Sequence, residues 1–456
     1  MKKIVIIFCS ALLLGASELA TSSSLTLEQA IDILKSQNLE IKAAAYDVDA
    51  AKADADVAFR SNFGKLDVVQ DFARSNDAGN VFGFKLASRE ATFGDFGFSE
   101  FSMTNPNILT VQPKDLNYPG YRNFFQSKLK YELPIFTGFQ LSSYSDITKA
   151  MQKMKTLDKD EVVHEKVYQI RKSFYDMALL KSSQKNLTTI LDNITTLENT
   201  TASMIDVGYA KKVDLLEVQA KKANVQRLLN EMVLNQKLLY HYISFLLNQK
   251  VTEIQTPPSD VPMPTFTNEE ILQSNLDIKK ALTGLDIREN MVDVSRASYY
   301  PMIGAFAEAS TADNTFWGNA DKHKAYTLGA RLTWNILSFG VDSAKVEKAQ
   351  VEQLKMRTQV QLAKEGINLQ VAKIRTEIET YDSEIASLEK ELELANEIYA
   401  NYEGRYREKL SSMSDVIIKQ SEQIQKILQL QQAHNQRNER IFALEKLANG
   451  EKNENY

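Results

Sequence analysis

Hydroxyl and carboxylate side chains cluster at Ser411-Ser412-Met413-Ser414-Asp415, a grouping that could supply a nucleophile with its partner. The same order of residues, a serine followed three positions later by an aspartate, is also how a helix begins after a turn, and that reading explains the block better. The four histidines, His164, His241, His323 and His434, stand far apart, and no nucleophile, metal or phosphate motif surrounds them. Neither an enzyme nor a cofactor is therefore expected. What remains is charge at helix starts. Asp214 and Asp415 follow turns at 207–213 and 408–414, and Glu217 lies three residues beyond Asp214. Such a carboxylate is worth about 0.3–1 kcal/mol as a helix-dipole partner. Gathered in several copies into a narrow ring, the same carboxylates would repel one another and favour cations.

Asp214 and Asp415 match because the chain contains two copies of one unit. Asn38-Leu39-Glu40-Ile41-Lys42 aligns with Asn275-Leu276-Asp277-Ile278-Lys279 at an offset of 237, which also pairs Gly64 with Pro301. Further on, Asp206 to Asp214 aligns with Arg407 to Asp415 at an offset of 201, and Pro134 pairs with Asn335. The first copy therefore carries an insertion of 36 residues between Gly64 and Pro134. Each copy reads helix, strand, loop, strand, very long helix, tight turn, helix. Leu129, Tyr131, Leu133 and Ile135 alternate with polar neighbours, as do Leu328, Leu332, Trp334 and Ile336. That period marks strands with one apolar and one wet face. Strands are expected at 65–73, 125–136, 302–309 and 326–336, with an outer loop at 74–124. Ile367, Val371, Ile374, Ile378, Tyr381, Ile385, Leu388, Leu392, Ala395, Tyr399, Tyr402 and Tyr406 step by three and four, a heptad seam. A helix from Gly340 to Tyr406 would run roughly 100 Å at 1.5 Å per residue. The first copy carries a matching stripe at Val163, Val167, Ile170, Phe174 and Met177, then at Leu187, Ile190, Ile194, Leu197, Thr201 and Met204.

The N-terminus, Met1-Lys2-Lys3 before an apolar run from Ile4 to Leu14 and small residues, reads as a signal peptide over 1–20. Its eleven or so apolar residues fall short of the roughly 20 a spanning helix needs, and no later segment approaches that length, so any membrane span must be β. The single cysteine, Cys9, lies inside that segment, so the exported chain forms no disulfide. The net charge of −5, with basic and acidic residues interleaved, gives no footprint for nucleic acid. Repeats occupy 21–250 and 267–449, joined by a linker at 251–266 in which Pro257, Pro258, Pro262 and Pro264 forbid a continuing helix. A polar tail follows at 450–456. Four alternating strands cannot sit in lipid alone, because their edges would leave N–H and C=O groups unpaired in hydrocarbon. Chains must combine to close a barrel, and the same oligomer would gather the long helices into a tube.

These elements resemble the TolC-like outer membrane factors over about Leu25 to Gly450. The resemblance is carried by the helix turns Val207-Gly208-Tyr209-Ala210-Lys211-Lys212-Val213-Asp214 and Tyr406-Arg407-Glu408-Lys409-Leu410-Ser411-Ser412, and by the strand-to-helix joints Pro134-Ile135-Phe136-Thr137-Gly138 and Asn335-Ile336-Leu337-Ser338-Phe339-Gly340. It implies a mainly α fold with membrane β. Coiled-coil hairpins would form an α-barrel, and four strands per chain would enter a homotrimeric 12-stranded barrel in the outer membrane, surrounded by lipid. It further implies the exit duct of a tripartite efflux pump or a type I secretion system. The periplasmic adaptor would dock on the turns at Val207, Gly208, Tyr209, Leu410, Ser411 and Ser412, with an inner-membrane pump beyond.

An aperture gate of Asp214, Glu217, Tyr406 and Asp415 is implied too, since Tyr406 falls where the family's tyrosine hydrogen-bonds the aspartate at the position of Asp214. Departures stand beside these matches. Lys409 and Ser411 replace a common glycine and arginine, and Ile418 stands where a second gate carboxylate often lies. A periplasmic coiled-coil scaffold or adaptor without a barrel is the competing reading, and barrel content discriminates the two.

Overall fold

The computed structural model of the chain describes residues 24–258 and 261–449; the signal segment read at 1–20 and the tail at 450–456 lie outside them. The first copy contains α1 (Leu27–Gln37), α2 (Leu39–Arg60), β1 (Lys65–Ser75), α3 (Ala78–Ala87), α4 (Lys114–Asn117), β2 (Arg122–Phe136), α5 (Gln140–Asp206) and α6 (Lys212–Leu247). The second contains α7 (Asn268–Ser274), α8 (Leu276–Arg296), β3 (Met302–Asp313), β4 (Lys324–Thr333), α9 (Val341–Arg407) and α10 (Met413–Leu447). The duplication reaches single hydrogen bonds. Asn38 Oδ1 accepts from the Ile41 N–H at the start of α2, and Asn275 Oδ1 from the Ile278 N–H at the start of α8, each at 3.1 Å. Among the described residues no helix is long and apolar enough to cross a membrane.

Three strands run further than their alternation suggests, and one is shorter. β4 stops at Thr333, which pairs with Met302; the next partner would be Pro301, which has no N–H to give. Trp334 leaves the sheet and its indole N–H donates to the Tyr299 carbonyl at 3.1 Å. The stretch read as an outer loop is also ordered. Asp77 caps α3 through the Asn80 N–H, Val81 is buried, and Phe84 stacks on Phe124 with ring centroids 4.2 Å apart.

Two compact units each draw on both copies. One comprises 43–161 and 269–368; the other comprises the residues up to Lys42, 162–268 and those from Leu369 onward. The first unit holds an antiparallel sheet in the order β1-β2-β3-β4, so that β2 of one copy pairs with β3 of the other and β1 and β4 are its edges. Register sorts its side chains. Leu66, Tyr131, Ala307 and Leu328 form one cross-strand row, and Val68, Leu129, Ala309 and Tyr326 the next. Leu66, Val68, Tyr326 and Leu328 on this face are exposed. The opposite face is charged, with ion pairs of Lys65 to Asp67, Lys128 to Asp71 and Lys130 to Glu308. There Phe306 lies over Gly329, where a Cβ would come within 2.5 Å of its ring. An apolar outer face and a charged inner face are what a membrane β-barrel requires.

In the second unit the heptad seams become core. Ile170, Phe174 and Met177 of α5 pack with Ile243, Leu246 and Leu247 of α6 and with Ala30 and Leu34 of α1. Toward the helix turns, Leu187, Ile190, Ile194 and Leu197 of α5 join Val218 and Val225 of α6, Tyr399 and Tyr406 of α9, and Met413, Val416 and Ile424 of α10. Each fully buried aliphatic side chain contributes about 1.5–3 kcal/mol.

Candidate functional site: the paired helix turns

Two turns end the long helices in the same way. After α5 the Tyr209 N–H bonds the Met204 carbonyl at 2.7 Å, and after α9 the Leu410 N–H bonds the Arg405 carbonyl at 2.8 Å. Between them sit Gly208 (φ +77°) and Lys409 (φ +64°), both left-handed, as this helix-ending motif requires. A Cβ on Gly208 would meet nothing within 4 Å, so backbone conformation and not space favours glycine there. Lys409 occupies the equivalent position despite its side chain, and its ammonium lies 3.2 Å from the centre of the Tyr209 ring. That cation–π contact joins the two turns and offsets part of the left-handed cost.

The helices that follow start on their carboxylates. Asp415 Oδ2 accepts from the Ser412 hydroxyl at 2.6 Å and the Ser412 N–H at 3.2 Å, while Ser412 Oγ accepts from the Asp415 N–H. Those bonds from Ser412 hold the Asp415 carboxyl below the usual range. Asp214 Oδ2 accepts from the Lys211 N–H at 2.8 Å; the lysine side chain has no acceptor, so only half of the box forms and the Asp214 N–H donates to the Lys211 carbonyl at 3.0 Å. Glu217 links the two hairpins, because both its oxygens accept from the Ser414 hydroxyl, at 2.8 and 3.0 Å.

Tyr406 is placed differently from what the resemblance implies. Its hydroxyl lies 3.4 Å from Thr201 Oγ1, with Thr201 fully buried, and burial raises the phenol's pKa. Asp214 Oδ2 accepts from Lys211 at the start of α6, and the Asp214 charge acts on the Tyr406 phenol by adding to the rise in its pKa. The turns also present apolar side chains to solvent, Val207, Tyr209, Val213, Leu216 and Leu410 among them, beside the polar Ser411 and Ser412. The arrangement therefore brings Glu217 to Ser414 and Tyr209 to Lys409, while Asp214 and Asp415 each serve their own helix. The Tyr209–Lys409 and Glu217–Ser414 contacts are invisible in sequence, since the partners are about two hundred positions apart and only the repeat offset relates their turns.

A family model described as outer membrane efflux protein matches residues 30–238 and again residues 268–450, one block for each copy. The chain belongs to that family. Its place is the outer membrane, with a large periplasmic portion. Among solved structures, the efflux-family chain is similar to CusC, described with transmembrane channel formation, at 14% identity and a TM-score of 0.76 over 92% of this chain and 91% of that one. The outer-membrane channel OprN matches at 15% identity and a TM-score of 0.75, covering 93% of this chain and 90% of its own. The Campylobacter jejuni CmeC outer membrane channel matches at 15% identity and a TM-score of 0.73, covering 99% and 94%. At such identities the likeness shows the fold alone. Comparison with curated proteins gives no match.

Proposed function

We propose that three copies of this chain close a 12-stranded barrel in the outer membrane and that their long helices line a periplasmic duct. Through it substrates would pass outward from a periplasmic adaptor and an inner-membrane pump, in a tripartite efflux pump or a type I secretion system. The observation that carries this reading is the sheet: four strands, two open edges, one face of exposed leucine, valine and tyrosine and one face of ion pairs. Open edges in hydrocarbon are costly, and joining copies edge to edge removes them. A periplasmic scaffold has no use for such a face. The apolar turn residues Val207, Tyr209 and Leu410, with Gly208, Ser411 and Ser412, suit an adaptor tip. The channels OprN and CmeC, and CusC with its transmembrane channel formation, support the same use of the fold.

Within that duct, Asp214, Glu217 and Asp415 would form a carboxylate ring at the periplasmic end, with Tyr406 holding its helices closed through Thr201. Planar-bilayer recording tests this. Asp415→Ala and Glu217→Gln should reduce cation preference, and Tyr406→Phe should raise the open fraction. Unchanged conductance and selectivity in all three would reduce these side chains to helix caps and packing.

A further inference from the structure

Glu90 follows α3 in the first-copy insertion, whereas Asp313 ends β3 and His323 precedes β4 in the second copy. One ligand atom of each lies within 4.8 Å of the others. Asp313 is 4% and His323 9% exposed, and Glu90 is half-buried. Each of the three is also oriented by a second partner. His323 Nδ1 lies 3.1 Å from the Ala312 carbonyl, so the ring donates from Nδ1 and keeps the Nε2 lone pair for a ligand. The Asp313 carboxylate accepts from the backbone N–H groups of Asn314, at 2.6 Å, and Asn319. Glu90 accepts from the Ser88 hydroxyl at 2.8 Å and from the Arg122 guanidinium, which also reaches Ser88 at 2.9 Å.

We propose that Glu90, Asp313 and His323 bind a divalent first-row transition cation of the zinc type. Two carboxylates match the ion's charge, and imidazole selects against the all-oxygen preference of calcium and magnesium. A backbone carbonyl fixing the far nitrogen of a histidine is the usual outer support of such a ligand. Zinc ligands at about 2.0–2.2 Å stand roughly 3.4 Å from one another, so the side chains draw in by at most about 1.4 Å, and water completes the tetrahedron. Arg122 opposes this by holding Glu90 and adding positive charge, which weakens the binding. The bound ion would tie the insertion of the first copy to the β3–β4 loop of the second. Sequence spacing hides the site because Glu90 belongs to the other repeat.

The test titrates zinc chloride alone into the detergent-purified full chain by calorimetry. One ion per chain at micromolar Kd is expected, weakened at least tenfold by His323→Ala and by Glu90→Gln, and unchanged by the distant His241→Ala. Glu90→Gln retains a side-chain oxygen for Arg122, so its loop keeps its anchor. Zinc should also slow protease cleavage between Phe82 and Asn117 in the native chain and not in His323→Ala. No zinc uptake, or equal uptake by the native chain and both site variants, overturns the proposal.

Discussion

Replacing Leu328 by lysine places a charge midway along β4 on the apolar face, in the row with Leu66, Tyr131 and Ala307. Leu328 is 71% exposed in the single chain. If that face meets water, the change is an ordinary surface substitution, worth within about 0.5 kcal/mol. If it meets lipid near the bilayer midplane, lysine costs about 2–4 kcal/mol per chain. That difference is roughly 30- to 700-fold in the folding equilibrium, since each 1.4 kcal/mol is tenfold. The control is its neighbour Thr327, which faces the other way opposite Glu308, so Thr327→Lys gains a partner and should be near neutral. Folding into lipid vesicles across a urea series, followed by gel mobility of the unheated protein, separates the two variants. Equal tolerance of lysine at 327 and 328 would refute assignment of this face to lipid.

Further expectations concern the helical unit. Phe174→Ala removes a fully buried ring from the cluster with Ile243 and Leu246 and should cost about 3–5 kcal/mol in denaturant titration; a loss under 1 kcal/mol would mean the cluster is not core. Lys409→Gly relieves a left-handed backbone while Lys409→Ala keeps it, and both lose the Tyr209 contact, so glycine should be the more stable by about 1 kcal/mol; equal melting temperatures would deny the strain. Burial lifts Asp176 to a pKa of about 6 from the ordinary 3.8, with Glu439 adding to the rise and Lys172 opposing it. The folded state thus holds this proton more tightly than the unfolded one. The cost of ionising it is absent below pH 4 and complete above pH 6, so stability should fall as pH rises between those values. Asp176→Asn should flatten that slope and stabilise the protein at pH 7 by about 1–3 kcal/mol; an unchanged slope would remove Asp176 from the account.

Much of this fold is legible because its elements are long and periodic. The seam from Ile367 to Tyr406 is buried at Val371, Ile374, Ile378, Tyr399 and Tyr406, since a step of three and four puts those residues on one helical face. Strand alternation finds all four strands but cannot see their ends: Trp334 and Ile336 continue the pattern, while pairing fails at Pro301. The helix α3 is hidden because Phe82, Phe84 and two glycines give it no amphipathic period, and its order comes from Phe84 against Phe124 and Phe82 against Phe96. At the turns, local chemistry was readable, so Ser412 and Asp415 fall into a helix-starting pair. Contacts across the repeat were not. Lys409 meets Tyr209, Ser414 meets Glu217 and Tyr406 meets Thr201 only after four helices have packed.

On the function proposed above, this chain completes its sheet only with copies of itself in the outer membrane. Native mass measurement of protein extracted from outer membranes in mild detergent tests it directly. Three chains per particle is the predicted result, and a stable water-soluble monomer would contradict it.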